Sequence, residues 1–278
     1  MTRLEAYVER RTREALSAAI EPFSTEFDRA HAGLEAIGDA WSRRLFDGPF
    51  YLSPAPPGDL PAANLVFVRS RDGDTVADNP STLGGGEADK HLIYEGLSRV
   101  AADGVLSGAA TIHGSELVLS IWHPQLVALR ASLGMPRHPA QIVATRRGLN
   151  LEDGLMFNEP ALRMLIITPP QGAAAMQDGL AARPWITPIV MTDEHDLFGA
   201  FRQLRHRGIG RVSCIGGPTM AAQLIDAGLI QDLYLTTSAR SAGEPNTPFY
   251  SKPLTGETIL RKHGSGIDTG VVFEHLRL

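Results

Sequence analysis

From residue 62 to the C-terminus the chain alternates between short apolar runs and amphipathic stretches, and this alternation restricts its possible folds more than any other feature. The runs "NLVFVR" (64–69), "GVLSG" (104–108), "AQIVAT" (140–145), "RMLIIT" (163–168), "TPIVMT" (187–192) and "RVSCIG" (211–216) have strand length and strand composition. Between them, 87–102, 124–134, 172–181, 196–208 and 218–228 carry apolar residues at helical spacing. Thr192 or Asp193 is placed to cap the fourth of these helices, and Gly228 to close the fifth. Strand–helix alternation implies parallel strands joined by right-handed crossovers. The last runs, 232–239, 258–263 and 270–278, follow one another without helices and predict an antiparallel C-terminal edge. The expected fold class is α/β, a mixed, mostly parallel sheet flanked by helices.

Residues 1–52 read differently. Leu4, Tyr7, Val8, Ala15, Leu16, Ile20 and Phe23 share a helical face; Phe27, Ala30, Leu34, Ile37, Trp41 and Leu45 continue the spacing after a break near Pro22. This predicts a helical extension of two amphipathic helices, packed on the main domain or on a partner subunit. "SPAPPGDLP" (53–61) reads as a stiff linker, and 62–278 as the main domain.

Composition removes several classes of function. The formal net charge of −5 gives no broad basic field for nucleic acid. A lone cysteine, Cys214, rules out a disulfide within the chain and fits a cytoplasmic protein. Its place in a strand predicts a buried, inert thiol. The nine histidines fall at no metal-ligand spacing, so no metal is expected, and His113 and His123 lack a third ligand. The first 20 residues contain no apolar run long enough for a signal peptide or a membrane span.

The candidate chemistry centres on "CIGGPTM" (214–220), where a strand passes through two glycines straight into a helix. Such a junction exposes backbone N–H groups at the positive end of the helix dipole. Proline at the first helical turn gives up only a donor that has no partner there. Neither the Walker nor the GxGxxG spacing is met, and a tight turn that binds nothing has the same local pattern.

Further segments stand in a fixed order around it: "SRDGDTVA", "LSRVAADGVLSGAATI", "QIVATRRG", "IGGPTMAAQLIDAGLIQDLYLTTSA" and "TGVVFEHLRL". Together, over about residues 62–276, they resemble the dihydrofolate-reductase-like fold, and more narrowly the reductase domain of the riboflavin-biosynthesis pyrimidine reductases. The resemblance implies NADPH as cofactor, with its diphosphate at Gly216, Gly217, Pro218, Thr219 and Met220 and a cis peptide between the two glycines. It places Thr75 and Val76 on the nicotinamide side, Thr111 on the phosphate side, and Thr145 with Arg146 and Arg147 beside the adenosine ribose. Guanidinium forks suit a 2′-phosphate, although a solvated turn has the same pattern.

On the substrate side the resemblance points to Arg99, Val66 and Ile215 as contacts and to Asp72 and Asp89 as candidate catalytic carboxylates. Asp89 or His91 could protonate a nitrogen as hydride adds to a C=N bond; capping or plain packing are the competing roles. The family usually has an acidic residue where Ile215 stands, lysine or asparagine where Val66 stands, and Asp-Asp-Pro where this chain has Ser115 and Glu116. The cofactor half of the pattern is kept and the substrate half is altered. The expected function is an NADPH-dependent reductase of a small heterocyclic substrate, of pyrimidine or ribosylamino type, in a homodimer. The alternatives are a dihydrofolate or pterin reductase and a non-catalytic nucleotide-binding homologue. The run "TDEHD" (192–196) is read as a helix cap.

Overall fold

A computed structural model describes residues 1–29, 33–77, 79–112 and 116–278. The expectations placed on Ala30, His113 and Ser115 lie outside the described residues. The strands are β1 (Phe23–Asp28), β2 (Glu35–Ile37), β3 (Phe50–Leu52), β4 (Ala62–Arg69), β5 (Gly104–Gly108), β6 (Ala140–Ala144), β7 (Met164–Thr168), β8 (Ile186–Val190), β9 (Arg211–Cys214), β10 (Asp232–Thr237), β11 (Glu257–Gly264) and β12 (Val272–Arg277). The helices are α1 (Arg3–Leu16), α2 (Ala40–Phe46), α3 (Gly86–Ala88), α4 (Ala109–Ile112), α5 (Pro124–Ser132), α6 (Pro170–Ala175), α7 (Gln177–Ala181), α8 (Leu197–His206) and α9 (Pro218–Asp226). A wide π-type turn, Asp89–Leu97, continues α3, so 86–97 forms one helical rod.

Ten strands make one sheet in the order β1-β11-β12-β10-β4-β9-β5-β6-β7-β8. Every neighbouring pair from β10 to β8 is parallel. The pairs β10–β12, β12–β11 and β11–β1 are antiparallel. This is the expected sheet. Its central strands are apolar on both sides because both faces are covered. On one face Val66, Val105, Val143, Ile166 and Ile215 pack with Leu92, Ile93 and Leu97 of the 86–97 rod. On the other, Leu65, Leu106, Ile142, Leu165 and Cys214 pack with Phe201 and Leu204 of α8 and Ala221 and Leu224 of α9. β9 is inserted between β4 and β5, so the carboxyl ends of β4, β9 and β5 lie side by side although their loops come from distant parts of the sequence.

The N-terminal reading needs correction. α1 forms, with Thr2 as its cap and Tyr7 packed edge-on against Trp122 at 5.4 Å between ring centroids. Among the described residues no helix runs through 27–39, however; 23–28 and 35–37 are strands. "FSTEFD" alternates aromatic and polar residues, buries Phe23 and pairs antiparallel with β11 as an edge strand. β2 and β3 form a hairpin around α2, which starts at Ala40 because the Asp39 side chain accepts the Ser42 N–H at 2.7 Å. The helical spacing of Phe27, Leu34, Ile37, Trp41 and Leu45 came from two strands and a short helix in succession, with Phe27 in β1, Ile37 in β2 and Trp41 and Leu45 in α2. The extension also shares the main core: Phe46 lies 4.9 Å from Phe50 and 5.8 Å from Phe273, ring centroid to centroid. Lys262 of β11 points into this contact, donating to Thr25 Oγ1 at 2.7 Å and to the Asp47 carbonyl at 3.0 Å. Burial pushes its pKa down to about 8.

Candidate functional site

The glycine corner is built by β9. Val212 and Cys214 anchor the strand in the core, and burial pushes the Cys214 thiol pKa up, as expected of an inert thiol. The Ile215 N–H donates to the Leu106 carbonyl at 2.8 Å and holds the chain against β5 for one residue beyond the strand. Gly216 then leaves the sheet, and Gly217 caps α9 in an extended conformation (φ −64°, ψ 163°) with no side-chain cap and Pro218 in the first turn. The N–H groups of Thr219 and Met220 therefore emerge from the helix end, where no carbonyl of the helix can accept them. No described peptide bond is cis, so the expected cis link between Gly216 and Gly217 is corrected to trans. The cap conformation of Gly217 is one that a trans bond reaches without strain.

Both glycines leave room. A Cβ placed on Gly217 would meet nothing within 4 Å, and the same is true of Gly108 at the end of β5. A Cβ on Gly216 would meet only the flexible tip of Met220 and, at 3.6 Å, the Gly108 amide nitrogen. The backbone angles at Gly217 would suit any residue, and its lack of a side chain leaves the approach from outside open. Uncapped amides, a positive helix end and open space fit a diphosphate.

The other cofactor candidates surround this corner unevenly. Thr75 and Val76 sit on the loop after β4, tied down by Thr75 N–H to the Thr247 carbonyl (2.9 Å) and Thr75 Oγ1 to the same carbonyl (2.8 Å). Thr111 is exposed in the short α4, directly after β5. Thr145 is buried and has a structural role: its N–H donates to the Ile167 carbonyl at 3.0 Å and its hydroxyl to the Gly148 carbonyl at 2.8 Å, closing a tight turn after β6. Arg146 is exposed on that turn and already engaged: Nε lies 3.1 Å from Glu194 Oε2, with Nη2 on the same oxygen. Arg147 beside it is exposed and has no ion pair among the described residues.

On the opposite face of the sheet, Val66 and Ile215 are 6% and 3% exposed and belong to the apolar core. Asp89 begins the π-type turn, its Oδ1 shielded from solvent and without a hydrogen bond among the described residues. Burial pushes its pKa up to about 6, against the pull of the nearby Thr236 hydroxyl, and the charge of Asp268 pushes the same way. Thr236 itself is fully buried on β10, its hydroxyl out of hydrogen-bonding geometry. Asp268 presses against Gly86, which takes a left-handed φ of 78°, and accepts the Ala88 N–H at 3.4 Å. Burial raises the Asp268 pKa as well. Thr236 and Asp268 were not legible as site residues, since one reads as an ordinary strand threonine and the other as a turn aspartate.

The remaining candidates do not join this group. Asp72 is exposed on the loop after β4 with Arg71 as its charged neighbour, 4.0 Å away. Arg99 lies at the wrong end of the sheet. It follows the C-terminal end of the 86–97 rod, just before β5 begins, and is 2% exposed. Its guanidinium stacks 3.6 Å from the Tyr94 ring centroid and donates to the Ser120 carbonyl at 3.2 Å. The ten residues from Asp89 to Arg99 put them about 15 Å apart along the helix axis. His91 is fully buried, Nε2 3.1 Å from Glu87 Oε2 and Nδ1 3.4 Å from Glu95 Oε2, in a crevice that Arg11 and Glu14 of α1 also line. In the run 192–196 the cap of α8 is Asp196, which accepts the Gly199 N–H at 2.8 Å, not Thr192 or Asp193. Among the described residues no cluster of His, Cys, Asp or Glu could hold a metal, and no helix is long and apolar enough to cross a membrane.

Residues 64–271 match the model of the family described as the RibD C-terminal domain. Among solved structures, a pyrimidine reductase-like protein from Corynebacterium diphtheriae shares 21% identity, with 78% of this chain and 91% of that one covered and a TM-score of 0.63. RibD from Acinetobacter baumannii shares 16%, covering 79% of this chain and 58% of that one, TM-score 0.58. The riboflavin biosynthesis reductase Rib7 of Saccharomyces cerevisiae shares 17%, covering 80% and 92%, TM-score 0.55. No curated protein matches the sequence. At these identities the structures speak for the fold; the family follows from the match that spans most of the chain, and the protein belongs to the RibD C-terminal domain family.

Proposed function

We propose that the protein is an NADPH-dependent reductase acting on a C=N bond, or its equivalent, in a small heterocyclic substrate of pyrimidine or ribosylamino type. The observation that carries this reading is the open corner at 216–220, where uncapped amides face space that a side chain on Gly217 or Gly108 would enter. The Thr219 and Met220 amides would hold the diphosphate, with the Thr111 hydroxyl beside them. Thr75 and Val76 would line the nicotinamide side, and Arg146 with Arg147 the 2′-phosphate. When bound, NADPH supplies the hydride.

The chain's own contribution is orientation, exclusion of water and one proton. Asp89 holds that proton at its carboxyl, because an ionised group there would be shielded from water and close to the Asp268 charge. Its task is to protonate the substrate nitrogen, which a carboxyl with a pKa of about 6 performs most fully below that pH. Val66 and Ile215 would give the ring an apolar bed. Arg99 is dropped as a substrate contact because of its place in the fold, and Asp72 stays a weaker candidate than Asp89.

That apolar bed favours a second reading, a dihydrofolate or pterin reductase, in which a less polar ring lies over Ile215. Under either reading we expect a homodimer in the cytoplasm. The deciding experiment titrates the purified protein with NADPH and NADH and then follows coenzyme oxidation over a panel of pyrimidines and pterins. Saturable NADPH binding with turnover of a ring substrate supports the reading. Binding without turnover on any ring would favour a non-catalytic homologue, and no binding at millimolar coenzyme would remove all three.

A further inference from the structure

The pair Arg146–Glu194 crosses the carboxyl end of the sheet. Arg146 follows β6 and Glu194 follows β8, so the ion pair spans the end of β7 between them. Each partner is held on a fixed loop. The Arg146 turn is closed by the two Thr145 hydrogen bonds, and α6 packs tightly on it: a Cβ on Gly172 would lie 3.1 Å from the Arg146 carbonyl and from the Gly148 nitrogen. The Glu194 loop is closed by Asp193 Oδ1 accepting the His195 N–H at 2.7 Å and by Asp196 Oδ2 accepting from Thr192 Oγ1 at 2.9 Å. The side chains between these loops remain solvent-accessible, 58% for Arg146 and 39% for Glu194, so the pair supports no core packing. Both Arg146 fork nitrogens that face Glu194 meet the same carboxylate oxygen. That hydrogen bond and the Arg146 charge hold the Glu194 carboxyl below the usual carboxylate range, so it is ionised at neutral pH.

The strand order sets this pair beside the glycine corner. β6 lies two strands from β9, a separation of about 10 Å at ordinary strand spacing. A coenzyme whose diphosphate rests on α9 therefore reaches the Arg146 turn with its adenosine end, a placement that rests on the coenzyme reading above. Glu194 then occupies the guanidinium fork that a 2′-phosphate would need. A phosphomonoester dianion must displace Glu194 from Arg146 and also approach its negative charge. A ribose that carries a 2′-hydroxyl does neither.

We propose that Glu194 is a specificity-determining residue for the coenzyme: an internal anion that competes with the 2′-phosphate for Arg146 and so limits discrimination between NADPH and NADH. Arg147, which has no ion pair among the described residues, gives the 2′-phosphate its initial attraction.

The test measures Kd for NADPH and NADH, by quenching of intrinsic fluorescence at fixed ionic strength, in the wild type, Glu194→Gln, Arg146→Ala and the double variant. Removing an exposed competing charge is expected to tighten NADPH about three- to tenfold and to change NADH by less than about twofold. In the Arg146→Ala background, Glu194→Gln should bring a much smaller gain, because there is no longer a fork to release. An unchanged ratio of the two Kd values in Glu194→Gln overturns the proposal while leaving the coenzyme reading intact. So does a selective loss of NADH affinity, which would make Glu194 an acceptor for the ribose hydroxyl. A wild-type protein that binds neither coenzyme overturns both the coenzyme reading and the proposal. Thermal melting of each variant without coenzyme checks that the fold is retained.

Discussion

The two ends of the parallel strands are made from the same kinds of residues and hold them differently. At the amino ends Asn64, Ser98, Asp103 and Arg130 are anchored by hydrogen bonds, although Arg130 Nη2 and the neighbouring Arg99 Nε and Nη2 have no acceptor among the described residues. Asn64 and Ser98 exchange hydrogen bonds of 3.1 and 2.8 Å, and Ser98 meets Ser213 at 2.6 Å. Asp103 accepts the Gly210 and Arg211 N–H groups at 2.8 and 2.9 Å. Arg130 donates to the carbonyls of Pro136, Arg99, Val100 and Ala102, closing the end of the 86–97 rod. At the carboxyl ends, beside the satisfied Thr145 and Arg146, other groups have no anchor among the described residues: Asp89 Oδ1 and the Thr236 hydroxyl make no hydrogen bond, α9 has no side-chain cap, and Arg147 has no ion pair. Buried polar groups without partners cost roughly 1–3 kcal/mol each. The guanidinium groups at the amino ends keep other hydrogen bonds that hold the sheet together, whereas the wholly unanchored groups at the carboxyl ends are the ones a ligand could complete.

The strongest way to break that contrast is at Asp89. Asp89→Asn keeps the shape and removes the transferable proton, so turnover should fall by about 10²–10⁴-fold with NADPH affinity unchanged. The pH dependence follows from the raised pKa of about 6. The protonated donor is lost as pH rises through that value, so wild-type turnover should decline above about pH 6 and the variant should lack that limb. Stability has the same sign. A carboxyl whose pKa is raised by folding stabilises fully below its unfolded pKa, and this contribution is lost as pH rises through the folded pKa. At pH 7.5 the variant should therefore be more stable by about 1–2 kcal/mol, after allowing for solvent access to the half-buried residue. Denaturant melts at pH 5 and 7.5 check this, and a variant equally stable or less stable at pH 7.5 would mean that the carboxylate has a partner after all.

Gly217→Val comes next. The backbone at Gly217 suits valine and its Cβ would meet nothing within 4 Å, so the melting temperature should stay within about 2 °C. NADPH should bind at least about 100-fold more weakly, because the branched side chain fills the approach to the Thr219 and Met220 amides. A change at the other end should do the reverse. Asp103→Ala removes a carboxylate that accepts from two backbone donors and should cost about 2–3 kcal/mol of folding stability. It should leave the NADPH Kd within about twofold of wild type. A marked loss of affinity there would tie the two ends together and weaken the distinction.

Much of this contrast could be read from the sequence, and the failures have physical causes. Each strand from β4 to β12 was expected close to its observed place because apolar runs bounded by glycine, proline and polar residues leave little choice of structure. The glycine corner was legible for the same reason, since Gly-Gly-Pro after a strand has few conformations. Arg99 was offered as a substrate contact by the resemblance alone; only the sheet shows which end of its helix a residue sits at, and Arg99 sits at the amino ends of the strands. Glu194 was absorbed into a capping run because sequence spacing shows that 192–196 opens a helix but not which carboxylate caps it. Asp196 does; Glu194 is free to reach across to Arg146. The N-terminal strand was missed because six residues of alternation are too few to outweigh a longer, accidental helical spacing.

The smallest effect sharpens the contrast at a single charge. Arg146 and Arg147 are adjacent in sequence and were read as one basic pair, yet Arg146 has a carboxylate partner and Arg147 has none among the described residues. If the unpaired guanidinium is part of the open end, Arg147→Ala should weaken NADPH by about three- to tenfold and leave NADH nearly unchanged. The NADPH difference between wild type and variant should shrink as salt is raised, because the contact is exposed and screened. Stability should move by less than about 0.5 kcal/mol, as expected for a surface side chain without a partner to lose. Equal weakening of both coenzymes would instead place Arg147 on the diphosphate, and no weakening of either would assign it to solvent, leaving Arg146 as the group that the adenosine end meets.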